Sequence, residues 1–227
     1  MQNDFLSLIF PKVCYACGKS LFKREDCICI YCHYHLPHTN FHLSSDNPVI
    51  KLFWGRTNIY SASSMYLFNK GSKVQHLIHQ LKYRGKKEIG VSLGRYYGRE
   101  LKSSSLFSSV DMIIPVPLHL KKLRERGYNQ SESFGEGLAY SMKVANESSI
   151  LVRSRVSQTQ TRRSRFERWK NVEEIFQVTT PEKIEGKHIL LADDVVTTGS
   201  TLEACANKIL EVPGTKVSVA TIASTLY

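Results

Sequence analysis

The sequence predicts an α/β fold, a mainly parallel sheet flanked by helices, with a small four-cysteine module at its N-terminal end. Three observations predict it. Short apolar runs near residues 63, 113, 151, 190 and 218 alternate with stretches whose apolar residues recur at helical spacing, as strands joined by crossover helices do. The segment from His188 to Leu210 reads as strand, loop and helix. Five of the six cysteines, Cys14, Cys17, Cys27, Cys29 and Cys32, lie within the first 32 residues.

In chain order, residues 1–40 read as the module. Cys14/Cys17 and Cys29/Cys32 are two Cys-x-x-Cys pairs with eleven residues between them. In a reducing compartment such pairs read as a tetrahedral zinc site, because the two intervening residues close a knuckle that brings both thiolates to one ion. Cys27 competes with Cys29 as a ligand, His33 and His35 are nearby substitutes, and iron in a rubredoxin-like site is the other metal. A knuckle of this size has too small a core to fold alone, so the structural metal would supply folding energy. Cys205 reads as a small core residue on a helix. Residues 41–60 are expected to be a linker or edge segment, in which Trp54 and Tyr60 pack the module onto a main domain of residues 61–227.

A chain of 227 residues with 42% hydrophobics can bury a core of ordinary size. Its formal charge of +11 points toward a nucleic-acid or polyphosphate partner. No apolar run reaches the roughly 18 residues of a membrane span, and Met1-Gln2-Asn3-Asp4 lacks the basic region of a signal peptide. A cytoplasmic location is expected.

Ala62 to Phe68 reads as a strand. Val74, Leu77, Ile78 and Leu81 then define a helix ending in Lys82-Tyr83-Arg84-Gly85-Lys86-Lys87, where cations suit the helix dipole as well as a phosphate. A second helix is expected from Ile89 to Leu101. Met112 to Val116 is the next strand, closed by Pro115-Val116-Pro117-Leu118-His119, a rigid turn that fixes the loop's direction. Four cations against one anion follow in Lys121 to Gln130, and Ser131 starts another helix. A rigid turn beside cations at the C-terminal edge of a strand suits a pyrophosphate. Ile150 to Arg153 is a further strand candidate. Residues 151–170 hold seven cations against Glu167 alone, with Phe166 and Trp169 among them. Such a segment, with Arg162, Arg163 and Arg165, suits either a pyrophosphate or single-stranded DNA held by phosphate pairing and base stacking.

The central motif precedes the last strand. Ile189 to Ala192 is apolar and stops at Asp193 and Asp194; Thr197, Thr198, Gly199, Ser200 and Thr201 lead into a helix through Leu202, Cys205 and Ile209. Backbone N–H groups and hydroxyls at a helix start favour a phosphate, and the carboxylates one turn earlier can accept hydrogen bonds from sugar hydroxyls. A sugar phosphate fits both halves. Lys216 to Ser224 supplies the last strand.

This motif resembles the phosphoribosyl-pyrophosphate (PRPP) loop of type I phosphoribosyltransferases. The resemblance implies that Asp193 and Asp194 hold the ribose hydroxyls, that Thr197 to Thr201 hold the 5′-phosphate, and that Asp193, Asp194 and Thr197 form the reacting edge, with Mg²⁺ entering on PRPP. Together with Ile-Pro-Val-Pro-Leu-His, Arg-x-Arg-Gly-Tyr-Asn-Gln and the four cysteines, the chain resembles the ComF family. That implies natural transformation and the handling of incoming single-stranded DNA, alongside a DNA-uptake helicase or processing protein. Two departures limit the inheritance. Thr197 stands where purine-salvage members carry an Asp, and the N-terminus lacks the cysteine nucleophile of a glutaminase. The expected function is therefore PRPP binding with phosphoribosyl transfer to an open acceptor; the alternative is a single-stranded DNA-binding factor in which PRPP is a regulatory ligand.

Overall fold

The computed structural model describes residues 12–23, 25–153 and 176–226. Within them, β1 (Ser61–Leu67), β2 (Met112–Pro115), β3 (Ala145–Asn146), β6 (His188–Val196) and β7 (Lys216–Ser224) form one sheet in the order β1-β7-β6-β2-β3. Every neighbouring pair in it is parallel. Parallel neighbours need crossovers, and helices supply them. The crossover from β1 to β2 carries α3 (Lys73–Tyr83) and α4 (Lys87–Ser103); α6 (Gln130–Met142) joins β2 to β3, and α7 (Ser200–Leu210) joins β6 to β7.

Local sequence explains each helix. In the module, α1 (Ile30–His35) starts at Cys29, whose sulfur accepts from the Cys32 N–H as a cap. The Ser72 hydroxyl caps α3 by accepting from the Gln75 N–H at 3.2 Å, and Val74, Leu77, Ile78 and Leu81 are buried. Each such side chain contributes about 1.5–3 kcal/mol by leaving water. In α4, Gly90, Gly94 and Gly98 recur every fourth residue against α6. A Cβ on Gly94 would overlap the Phe134 carbonyl oxygen, and one on Gly137 would overlap that of Val91. The two backbones therefore touch directly.

The core has two faces. One gathers α3, α4, α6 and the buried cysteines of the module, with Tyr66, Phe107 and Phe134. The other gathers α7, Val49, Ile50, Phe53, Ile150, Phe176 and Ile184. Between them Ile189 to Ala192 are fully buried, as a strand covered on both sides requires. No helix among the described residues is long and apolar enough to cross a membrane.

Four expectations change. The strand near residue 151 leaves the main sheet: β4 (Leu151–Arg153) pairs antiparallel with β5 (Phe176–Val178), and the short β3 takes the sheet edge. β6 does not stop at the acids, because β7 continues to pair with it as far as Val196↔Ser224. Leu120–Arg126, read only as a cation-rich stretch behind the Pro-x-Pro turn, is a helix, α5, closed by Gly127 at φ 75°. Residues 41–60 are packed in place: α2 (Pro48–Lys51) is capped by Asn47, whose Oδ1 accepts from Val49 and Ile50. Its Val49 and Ile50, with Phe53, enter the core, whereas Trp54 and Tyr60 are exposed.

Candidate active site

The C-terminal ends of β2 and β6 lie side by side. Pro115 pairs with Ala192, and the Val116 N–H donates to the Ala192 carbonyl at 2.9 Å. The next two residues of β6 are Asp193 and Asp194, just past the point where β2 has ended. The Pro-x-Pro segment and the acid pair thus leave the sheet at one edge, where ligands of open α/β sheets gather.

The two acids are held differently. The Asp193 carboxyl accepts from the Ser131 hydroxyl and from the Asp194 N–H, both at 2.8 Å on Oδ1. Asp193 keeps a partly accessible edge, but its carboxyl is crowded by protein. That burial, followed by the charge of Asp194, pushes its pKa up to about 7 against the pull of those two hydrogen bonds. Asp194 instead forms an ion pair with Lys82 Nζ at 2.8 Å, from the last turn of α3. Beside Ser131, the Gln130 amide is buried and neither of its polar atoms has a partner among the described residues.

The phosphate-type loop follows. Thr197, Thr198, Ser200 and Thr201 are exposed, and with Asp193 and Gly199 they line a cleft of about 60 Å³. The cap residue Gly199 offers no side chain to α7, and the Ser200 N–H meets only the Thr198 hydroxyl at a long 3.5 Å, so this helix start suits a ligand anion. Gly199 has φ 75°, and a Cβ there would press on Leu52 and Phe53 at 3.3 Å, so a backbone without a side chain is needed twice over. Arg56, from the same flanking segment, pairs with Glu203 in the first turn of α7. This offsets a carboxylate that would otherwise repel an arriving phosphate.

In the Pro-x-Pro segment, Pro115 and Val116 are buried, Pro117 and Leu118 half-buried and His119 exposed. Asn129 Nδ2 donates to the Val116 carbonyl at 3.0 Å while Oδ1 caps α6 through the Ser131 N–H. His119 Nδ1 caps α5 by accepting from the Lys121 N–H at 3.1 Å. Arg162, Arg163 and Arg165 lie outside the described residues. Lys82, Ser131 and Arg56 are the residues that sequence reasoning misses. Lys82 belongs to a cluster that reads chiefly as a helix terminus, and Ser131 reads only as a helix start.

Away from this edge, Cys14, Cys17, Cys29 and Cys32 offer four sulfurs within 4.8 Å of one another. Cys17 Sγ and Cys29 Sγ stand 3.8 Å apart. A tetrahedral ion with bonds of about 2.3 Å needs sulfurs about 3.8 Å apart, so the donor set fits zinc. The Cys29 N–H donates to Cys14 Sγ at 3.3 Å and the Cys32 N–H to Cys29 Sγ at 3.4 Å, as thiolate ligands favour. The backbone N–H of Lys19 pulls the Cys17 thiol down to about 7, while burial pushes those of Cys29 and Cys32 up. Cys27 is turned away: its thiol donates to the Glu88 carbonyl at 3.4 Å, and burial pushes it up to about 11. Neither His33 nor His35 belongs to the cluster.

Comparison with known proteins agrees with this geometry. Residues 131–225 match the model of the phosphoribosyl transferase domain, and the fold is that of the type I phosphoribosyltransferases, a mainly parallel sheet flanked by helices. The chain is 33% identical over 153 residues to the DNA utilization protein YhgH of Salmonella typhimurium, across 66% of each chain. That is just under two thirds of the relative's length. Competence protein F of Haemophilus influenzae is 31% identical over 56% of this chain and 57% of its own. Competence protein ComFC of Bacillus subtilis is 29% identical over 88% of this chain and 78% of its own. The chain belongs to the ComF family.

Proposed function

We propose that the chain binds PRPP and, with a nitrogen nucleophile, transfers its phosphoribosyl group in the service of competence and DNA utilization. The observation that carries this is the shared sheet edge, where the Val116 N–H to Ala192 carbonyl bond sets the Pro-x-Pro segment beside the acid pair and its loop. Asp193 and Asp194 accept from the ribose hydroxyls. Thr197, Thr198, Gly199, Ser200 and Thr201 take the 5′-phosphate through backbone N–H groups and hydroxyls, and Pro115 to His119 flank the diphosphate. Transfer forms a bond from nitrogen to the anomeric carbon and breaks the bond from that carbon to oxygen. Pyrophosphate leaves with the electron pair, and the nitrogen loses a proton to solvent. Mg²⁺, bound chiefly by PRPP oxygens, would neutralise the leaving charge. Positioning and electrostatics are what this chain's own residues contribute. Thr197 offers no carboxylate, so the acceptor is one that needs no Asp base at that place.

Calorimetric titration with PRPP and Mg²⁺ tests the reading, beside the Asp193→Asn/Asp194→Asn double variant, with released pyrophosphate assayed in the same samples. Binding lost in the double variant supports it, and binding unaffected by the substitutions refutes it. The four cysteines would hold structural zinc, closing the module by their thiolates.

A second reading is favoured by the net charge of +11 and by relatives named for DNA utilization. Here the chain grips single-stranded DNA beside an uptake helicase or processing protein on the cytoplasmic side, and PRPP is a regulatory ligand. It requires binding that weakens steeply with salt and on removing Arg162, Arg163 and Arg165.

A further inference from the structure

Resting on the PRPP reading, we infer that Lys82 is a substrate-binding residue that bridges the ribose-holding carboxylate and the diphosphate. The requirement is electrostatic. A site that places two carboxylates beside a polyanion must put positive charge between them, or the substrate is repelled by the groups meant to hold it. Among the described residues, the ion pair that reaches the acid pair is that of Lys82 with Asp194 at 2.8 Å.

An ammonium has three donors. One is spent on Asp194 Oδ1. The Lys82 side chain remains 21% exposed, so its other donors can meet a ligand. The corner it stands on is tied to the stretch that follows the Pro-x-Pro segment and α5. The Tyr128 hydroxyl donates to the Leu81 carbonyl, the Arg126 guanidinium lies 5.2 Å from the centre of the Tyr83 ring, and Lys87 Nζ lies 4.9 Å from that of Tyr128. Three contacts of its neighbours Leu81, Tyr83 and Lys87 thus fix the backbone around Lys82 against Arg126 and Tyr128. A lysine serving only to end a helix would point its charge to solvent, whereas Lys82 turns its ammonium to Asp194.

The experiment compares Mg²⁺–PRPP with ribose 5-phosphate, which has the sugar and 5′-phosphate but no diphosphate, by calorimetry on the zinc-loaded full chain. The expected result is that Lys82→Met weakens PRPP binding at least tenfold more than ribose 5-phosphate binding, and that Lys82→Arg restores most of the loss. An equal loss for both ligands would reduce Lys82 to a support for Asp194 and overturn the inference, leaving the PRPP reading intact. Unchanged affinity for both would overturn it too. Wild-type protein that binds neither ligand would sink both. Should Lys82→Met not fold, acylation footprinting of the unaltered chain decides: PRPP must protect the Lys82 amine more than ribose 5-phosphate does, and equal protection overturns the inference.

Discussion

The Ser131 hydroxyl donates to Asp193 Oδ1 at 2.8 Å, tying the first turn of α6 to the first of the two acids. The hydrogen bond favours the ionised carboxylate, yet burial and Asp194 outweigh it, and the proton is held up to about pH 7.

That imbalance has a sign. Between the ordinary carboxylate value of 3.8 and about 7, the folded protein keeps a proton on Asp193 that the unfolded chain has released. Stability from this group therefore falls as pH rises through that window and levels off above it. Asp193→Asn cannot titrate but still accepts from Ser131. Melting temperatures from pH 4 to pH 7 should decline less steeply in the variant than in the wild type; parallel curves would show that Asp193 is ionised throughout.

Cys27 and Cys29 should part company in metal analysis. Cys27→Ser is expected to keep one zinc per chain, because its thiol faces the Glu88 carbonyl and not the cluster. Cys29→Ser and Cys14→Ser should lose the metal and the module's fold with it. Retention in Cys29→Ser with loss in Cys27→Ser would reverse the assignment.

Gly94→Ala inserts one methyl where the Phe134 carbonyl already stands. The two helices must separate, at a cost of about 1–3 kcal/mol or more. Denaturant unfolding should show the loss, whereas Gly71→Asn, at a positive φ with open space around it, should cost less.

Arg56→Ala leaves Glu203 uncompensated beside the phosphate-type loop. Affinity for ribose 5-phosphate should fall by about 1 kcal/mol, roughly fivefold, and the fall should shrink in high salt. An effect independent of salt would point to lost packing on Leu52 and Phe53 instead.

Much of this is legible in the chain. Apolar spacing locates α3 and α4, the apolar run Ile189 to Ala192 locates the central strand, and the Cys-x-x-Cys pairs locate the sulfur cluster. The remainder depends on partners distant in sequence. A short apolar run carries no mark of which strand it will pair with, and Leu151–Arg153 pairs with Phe176–Val178 instead of the main sheet. The length of β6 is set by β7, since hydrogen bonding on one side suffices to carry two acids in extended form. Lys82, Ser131 and Arg56 join the site from 112, 62 and 147 residues away from their partners Asp194, Asp193 and Glu203. No local pattern encodes such separations.

The glycine seam between α4 and α6 sets backbone against backbone at Gly94 and Gly137, so the pair forms one beam. One end of the beam carries the module, through the Tyr15 hydroxyl on Glu88 Oε1 at 2.7 Å and the Cys27 thiol on the Glu88 carbonyl. The same end carries Ser131 and its grip on Asp193, because the helices run parallel and Gly90 lies against Ser133. The cysteine module and the acid pair are thus anchored on neighbouring first turns of two helices whose backbones already meet.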